Sequence, residues 1–369
     1  MPIIDSALPQ IRQLHPYSPG KPVEELEREL GIGHAIKLAS NENPLGCSPL
    51  VGEALRQAGK HIELYPDANA YYLKQRLAHK LGVGENQITI GNGSNDVLDL
   101  VARSFLDGGT EAVYSQYAFM VYAMVTQACG AEARVAEALG EDSSQPWGHD
   151  LDAMLALIND NTRVVFIANP NNPTGNWLLH DELEAFLRSV PDEVAIVIDE
   201  AYFEYVDIDG YPNALNWLDA YPNLIVTRTF SKIYGLAGLR LGYAVSSPEI
   251  CELLNRVRQP FNGNALALAA GLAALDDDDF VEQSRRTNQQ GLERMRRGFD
   301  ERGLYHIPSA GNFLTVRFGE HSGAVYQGLL ERGVITRPVA NYGLPQFLRI
   351  SVGSGQQIDR LFEALDELR

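Results

Sequence analysis

Six short apolar runs occupy the middle of this 369-residue chain, and helical patterns separate several of them. The runs are ENQITIGNGS, TEAVYSQY, NTRVVFIANP, EVAIVIDEAY, NLIVTRTFSK and RLGYAVSS; DVLDLVARSFL and DELEAFLRSV are among the helical stretches. A strand followed repeatedly by a helix predicts an α/β fold, with a mostly parallel sheet covered by helices on both faces. Runs as uninterrupted as VAIVI suit strands buried on both sides.

The two ends of the chain read differently. A long helical stretch, FVEQSRRTNQQGLERMRRGFDERGL, precedes GNFLTVRF, GVITRPV and FLRISVG, which suggests a helix packed on a few strands. The first 45 residues are rich in turn formers and weak in periodicity. The expected organisation is therefore a large domain at about 46–265 and a smaller α+β domain, built from 266–369 together with 1–45.

Composition narrows the function classes. With 45% hydrophobic and 21% charged residues the chain has the makeup of a soluble globular protein. It has no apolar run long enough to span a membrane, and its N-terminus lacks a basic start and apolar stretch, so the cytoplasm is the expected compartment. A net charge of −18 argues against a nucleic-acid partner. The three cysteines form no CxxC and the eight histidines no HxH or HExxH pair, so neither a disulfide framework nor a metal site is expected. The acidic run Asp276–Asp279 lacks the glycine and spacing of a calcium loop and reads as a solvated helix start.

Chemistry is expected where strands end, because ligands of open α/β sheets bind beyond the carboxyl ends. Four such ends carry polar groups. Gly91 and Gly93 are followed by Ser94, Asn95 and Asp96 at a helix start; this is either a plain cap or a phosphate cradle, and it lacks the third glycine of a dinucleotide fingerprint. IANPNNPTG presents Asn172 in a proline-fixed loop. Asp199 and Glu200 end a buried run, where a carboxylate needs a partner, and Tyr202 follows. Thr229, Ser231 and Lys232 follow NLIVT, and Arg240 comes eight residues after the lysine. The chain holds 24 arginines but only six lysines, and none between Lys80 and Lys232 or after it. Arginine would serve for charge alone, whereas lysine can lose its proton and form a Schiff base. Pyridoxal phosphate needs this combination: a lysine for its aldehyde, a carboxylate for its ring nitrogen and a cradle for its phosphate.

The order Asn-Pro-Thr-Gly, Asp-x-x-Tyr, Ser-Lys and an arginine eight residues on resembles the fold-type I pyridoxal-phosphate aminotransferases over essentially the whole chain. LHPYSPGKPVEELERELG, KLASNENPLG, LYPDANAYYLKQRLA and FLRISVG are similar to the histidinol-phosphate aminotransferase subfamily. The resemblance implies a catalytic Lys232 that both binds the cofactor aldehyde and moves protons. It implies Asp199 on the pyridine nitrogen, and Asn172 and Tyr202 on the cofactor's phenolic oxygen. Ser94, Asn95, Thr229, Ser231 and Arg240 would surround the phosphate, and Tyr117 would stack on the ring. Tyr65 would reach the neighbouring subunit's site in a homodimer. Arg349 is expected to clamp the substrate α-carboxylate, with Tyr17, Asn43 and Arg337 near the substrate and its phosphate. The expected reaction transfers the amino group of L-histidinol phosphate to 2-oxoglutarate. Where the family often has Gly-Ala-Asp-Glu this chain has Gly93-Ser94-Asn95-Asp96, which leaves open an aromatic amino-acid aminotransferase; a decarboxylase of amino-acid phosphates on the same fold is a second alternative.

Overall fold

A computed structural model describes residues 2–16 and 20–368. Its twelve strands are β1 Ile36–Lys37, β2 Ile88–Gly91, β3 Glu111–Ser115, β4 Glu132–Ala136, β5 Thr162–Ala168, β6 Ala195–Asp199, β7 Leu224–Thr229, β8 Gly242–Ser246, β9 Phe313–Arg317, β10 Val334–Ile335, β11 Arg337–Pro338 and β12 Phe347–Ser351. Seven of them form one sheet in the order β2-β8-β7-β6-β5-β3-β4. Only β8 runs against its neighbours, so the sheet is mostly parallel, as the β-then-α alternation predicts. All six apolar runs fall on strands of this sheet. The seventh, β4, was not anticipated: Glu132, Ala133 and Val135 are exposed on this edge strand, so no apolar run marks it.

Strand alternation places the sheet between two cores. In β6, Ile196 and Ile198 join one apolar cluster while Ala195 and Val197 join the other. Both isoleucines are fully buried, each contributing about 1.5–3 kcal/mol of hydrophobic stabilisation. The helix Ser94–Phe105 sends Val97, Leu98 and Val101 into one cluster, and the helix His180–Ser189 sends Leu183, Phe186 and Leu187 into the other.

Two smaller sheets complete the chain, β11-β12-β9 and β1-β10. GVITRPV divides between them: β10 pairs parallel with N-terminal β1, and β11 pairs antiparallel with β12. The helix Asp278–Asp300 covers this part with Leu292, Met295 and Phe299, and Asp277 caps it by accepting from Phe280 N at 2.9 Å. The acidic run is thus a helix start. The turn-rich first 45 residues also contain the helix Val23–Leu30. On this basis we propose two domains, one around the seven-stranded sheet and one around the two small sheets. The helix Ala265–Leu275 packs with the first, burying Ala267, Ala270 and Ala274 in its core. No helix among the described residues is long and apolar enough to cross a membrane, and none of their His, Cys, Asp and Glu groups could hold a metal ion.

Candidate active site

Register brings the expected chemistry to one sheet edge. Ala168, the last residue of β5, lies opposite Asp199, the last of β6, and Asp199 lies opposite Thr227 near the end of β7. Because β8 is antiparallel, it presents its first residue there, Gly242 opposite Thr229 and Gly91. A cavity of about 190 Å³ opens beyond this edge. Ser94, Asn95, Asn172, Asp199, Tyr202, Thr229, Ser231, Lys232, Arg240, Arg337 and Arg349 all line it.

Alternation carries on past the end of β6, so Asp199 and the next residue, Glu200, part company. Asp199 faces the cavity, accepting from Tyr122 Oη at 2.9 Å and Thr227 Oγ1 at 3.0 Å. Burial pushes its carboxyl above the ordinary range while those two bonds act against the shift; a cation beside it would complete the balance. Glu200 is fully buried on the other face and receives both Nε and Nη2 of Arg228, at 2.9 and 2.7 Å. This pair answers the requirement that buried carboxylates be partnered.

Lys232 Nζ donates to Ser40 O at 3.1 Å. Desolvation first, then the nearby Arg349 guanidinium, lowers its pKa to about 7 against a partial counter-effect from Glu42. A lysine so placed is partly neutral at neutral pH, the state in which it is a nucleophile and a base.

Another group of lining residues suits an anion. Gly93 (φ +83°) precedes the helix Ser94–Phe105, whose first amides have no partner within the helix. Arg240 lies against Gly93, with Nη1 donating to Ser231 Oγ at 3.3 Å and Ala237 O at 3.1 Å. A β-carbon on Gly242 would stand 2.3 Å from Ser94 N, so β8 and the helix start meet this closely only because no side chain intervenes. Across the cavity, Arg337 of β11 is the direct partner of Arg349 of β12. Arg349 gives Nη1 to Asn172 Oδ1 and Nη2 to Ala39 O (2.6 Å), and its buried Nε has no partner among the described residues. Amine, carboxylate and anion cradle therefore fit the pyridoxal phosphate expected from the sequence.

Three other expected residues do not line the cavity. Tyr117 packs beside the cavity with Ile307, Val339 and Tyr342, while Phe119 lines it. Asn43 is committed elsewhere, donating to Ile233 O at 2.7 Å and Ser284 Oγ at 2.9 Å. Tyr65 is 83% exposed and stacks on Phe261, with ring centroids 4.6 Å apart. Tyr17 lies outside the described residues. Sequence reasoning missed Asn41, Phe119, Tyr122, Thr227 and Tyr342. Tyr122 lies in the helix Val121–Ala128, where no local pattern marks a contact with Asp199, and Asn41 stands in the SNENP stretch beside Asn43.

Comparison with known proteins agrees with this geometry. The family model "aminotransferase class I and II" matches residues 33–365. The chain is 55% identical to a Pseudomonas aeruginosa protein named histidinol-phosphate aminotransferase 2, over 98% of this chain and 97% of that one. It is 54% identical to the Methylococcus capsulatus protein of the same name, over 100% and 99%. A solved structure of histidinol-phosphate aminotransferase from Sinorhizobium meliloti, in complex with pyridoxal 5′-phosphate, superposes with a TM-score of 0.87 at 30% identity, covering 98% of each chain. With a family match across nearly its whole length and a sheet edge that carries the corresponding groups, this chain belongs to the class I and II aminotransferases.

Proposed function

We propose that this protein is a pyridoxal-phosphate-dependent histidinol-phosphate aminotransferase. It would carry the amino group of L-histidinol phosphate to 2-oxoglutarate, forming imidazole acetol phosphate and L-glutamate in histidine biosynthesis. The observation that carries the substrate choice is the opposition of Arg337 and Arg349 on β11 and β12, both lining the cavity. Two guanidiniums lining one cavity suit a phosphate dianion in one half of the reaction and carboxylates in the other. An aromatic amino acid offers a single carboxylate. The names of the most similar relatives support the same choice.

When bound, pyridoxal phosphate supplies an aldehyde that condenses with amines and a ring that accepts electron density. The cradle of Ser94, Asn95, Thr229, Ser231 and Arg240 would bind its phosphate. Asp199 would hold a proton on the ring nitrogen, the cation its buried carboxylate lacks. Asn172, whose Oδ1 is taken by Arg349, has its NH₂ left to donate, and Tyr202 its hydroxyl hydrogen. Lys232 Nζ would take the proton from substrate Cα and deliver it to the cofactor's aldehyde carbon, C4′.

We also propose a homodimer. Tyr65, Tyr72, Ile62 and Leu64 are each at least 62% exposed on one chain, a grouping that suits contact with a second copy. In that arrangement Tyr65 and Tyr117 would complete the site. Because phosphorylated substrates do not cross membranes unaided, the setting would be the cytoplasm, where they are made.

The test compares kcat/KM for histidinol phosphate and phenylalanine as amino donors, with 2-oxoglutarate as acceptor. Histidinol phosphate should be preferred, and Arg337→Leu should narrow the preference. Equal values for the two donors in the parent protein would favour the aromatic aminotransferase. Carbon dioxide release without 2-oxoglutarate would favour the decarboxylase.

A further inference from the structure

Residues 39–41 form a strap along the cavity, and each one touches a different side chain of the proposed machinery. Ala39 O accepts from Arg349 Nη2 at 2.6 Å, Ser40 O accepts from Lys232 Nζ at 3.1 Å, and Asn41 Nδ2 donates to Tyr202 Oη at 2.9 Å. The strap is anchored from behind by the smaller part of the chain. Asn41 N donates to Ser351 Oγ at 2.8 Å, Ser351 Oγ to Asn41 Oδ1 at 2.9 Å, and Asn312 Nδ2 to Asn41 O at 3.0 Å. Asn41 is 1% exposed and has φ +56°, a left-handed conformation that asparagine tolerates better than most residues.

The bonds around the Asn41 amide set the direction of the bond to Tyr202. Ser351 Oγ accepts the Asn41 amide hydrogen and donates its own to Asn41 Oδ1. The atom facing Tyr202 is then Nδ2, which can only donate. Tyr202 Oη must therefore accept, and its own hydrogen is directed to another partner. That hydrogen is present at neutral pH. Burial pushes the phenol up to about 12, with Arg349 and the Asn41 bond acting against the shift and Asp199 and Tyr342 adding to it. Lys232 Nζ lies 5.7 Å from the ring centroid. Asn41 and Tyr202 both line the cavity.

We propose that Asn41 is a positioning residue: by donating to Tyr202 Oη it commits the phenolic hydrogen to the cavity, where the cofactor's phenolic oxygen can receive it. The inference rests on the functional reading above and adds to it a residue and a polarity.

Asn41→Asp tests it, because aspartate keeps the shape, the tolerance of positive φ and the acceptor for Ser351, yet replaces the donor by an acceptor. Tyr202 would then turn its hydrogen toward the introduced carboxylate and away from the cofactor. The readout is the pH midpoint of the bound cofactor's visible absorption. A donor to the phenolic oxygen favours the deprotonated chromophore, so losing it should raise the midpoint by roughly 1–2 pH units. The added negative charge also raises the midpoint through space, so the same substitution is made in a Tyr202→Phe background, where only that through-space part survives. A shift in the tyrosine background at least twice that in the phenylalanine background is the expected result. Equal shifts in both backgrounds, or none in the first, would overturn the proposal while leaving the functional reading intact. A parent protein that shows no cofactor absorption would overturn both. Asn41→Gly, which accommodates the backbone and adds no charge, should move the midpoint the same way by less; an unmoved midpoint there counts against the proposal even if the aspartate variant does not fold.

Discussion

Gly242→Ala isolates the phosphate cradle from the rest of the site. Gly242 is not among the positive-φ residues, so space alone excludes a side chain. The added carbon would meet Ser94 N at 2.3 Å and Gly93 C at 2.7 Å, both backbone atoms with no flexible end to swing aside. Ordinary contact requires about 3.5 Å, so the helix start must retreat by on the order of 1 Å. A hydrogen bond stretched that far is lost, and one to a charged acceptor contributes about 1.5–3 kcal/mol. Pyridoxal phosphate should therefore bind the apoprotein roughly 10- to 150-fold more weakly. The same titration with unphosphorylated pyridoxal, which never used the cradle, should change by less than threefold. Urea unfolding of the apoprotein accounts for any general loss from overpacking, expected at about 1–3 kcal/mol. If both ligands weaken by the same factor, or neither does, the assignment of the phosphate to this helix start is wrong.

Three further outcomes follow from the buried charges and the exposed tyrosine. Arg228→Leu leaves Glu200 buried without its cation and should destabilise the protein by about 3–5 kcal/mol in urea, most of which a second change, Glu200→Leu, should restore. Lys232 binds fewer protons folded than unfolded from about pH 7 upward, because its folded pKa of about 7 lies below the ordinary 10.5. The apoprotein should therefore gain stability from this residue as pH rises above 7, and Lys232→Met should lose that slope when unfolding midpoints are compared between pH 6.5 and 9. Finally, mixed Tyr65→Ala and Lys232→Ala proteins should recover about a quarter of parental activity through hybrid dimers with one intact site. No recovery above the sum of the separate variants would place Tyr65 outside a shared site.

The sequence was legible where a function coincides with a strand end. Asp199, Thr229 and Lys232 stand within a few residues of apolar runs whose limits are easily drawn, so their convergence follows from the parallel order of β5, β6 and β7. The supporting contacts were hidden, since they join distant parts of the chain. Tyr122 reaches Asp199 across 77 positions and Asn41 reaches Tyr202 across 161, and no local pattern encodes either distance. Asn43 was the natural choice in SNENP on resemblance, yet its amide is spent holding Ile233 O and Ser284 Oγ. The edge strand β4 escaped for the opposite reason: exposure removes the apolar run that would mark it.

The anchoring of the strap also sets a schedule. Asn41 and Ser351 lie 310 positions apart, and β1 meets β10 across a similar stretch. At synthesis rates of about 5–20 residues per second, roughly 15–60 s separate the emergence of the two halves of that bond. Through the last third of this interval the seven-stranded sheet, complete by residue 246, has all its strands. Ser40 and Asn41, however, still lack the anchors that Asn312 and Ser351 supply. The amine is thus present on the nascent chain before its carbonyl partner is fully anchored, and the finished pocket reports that translation has reached the last strand.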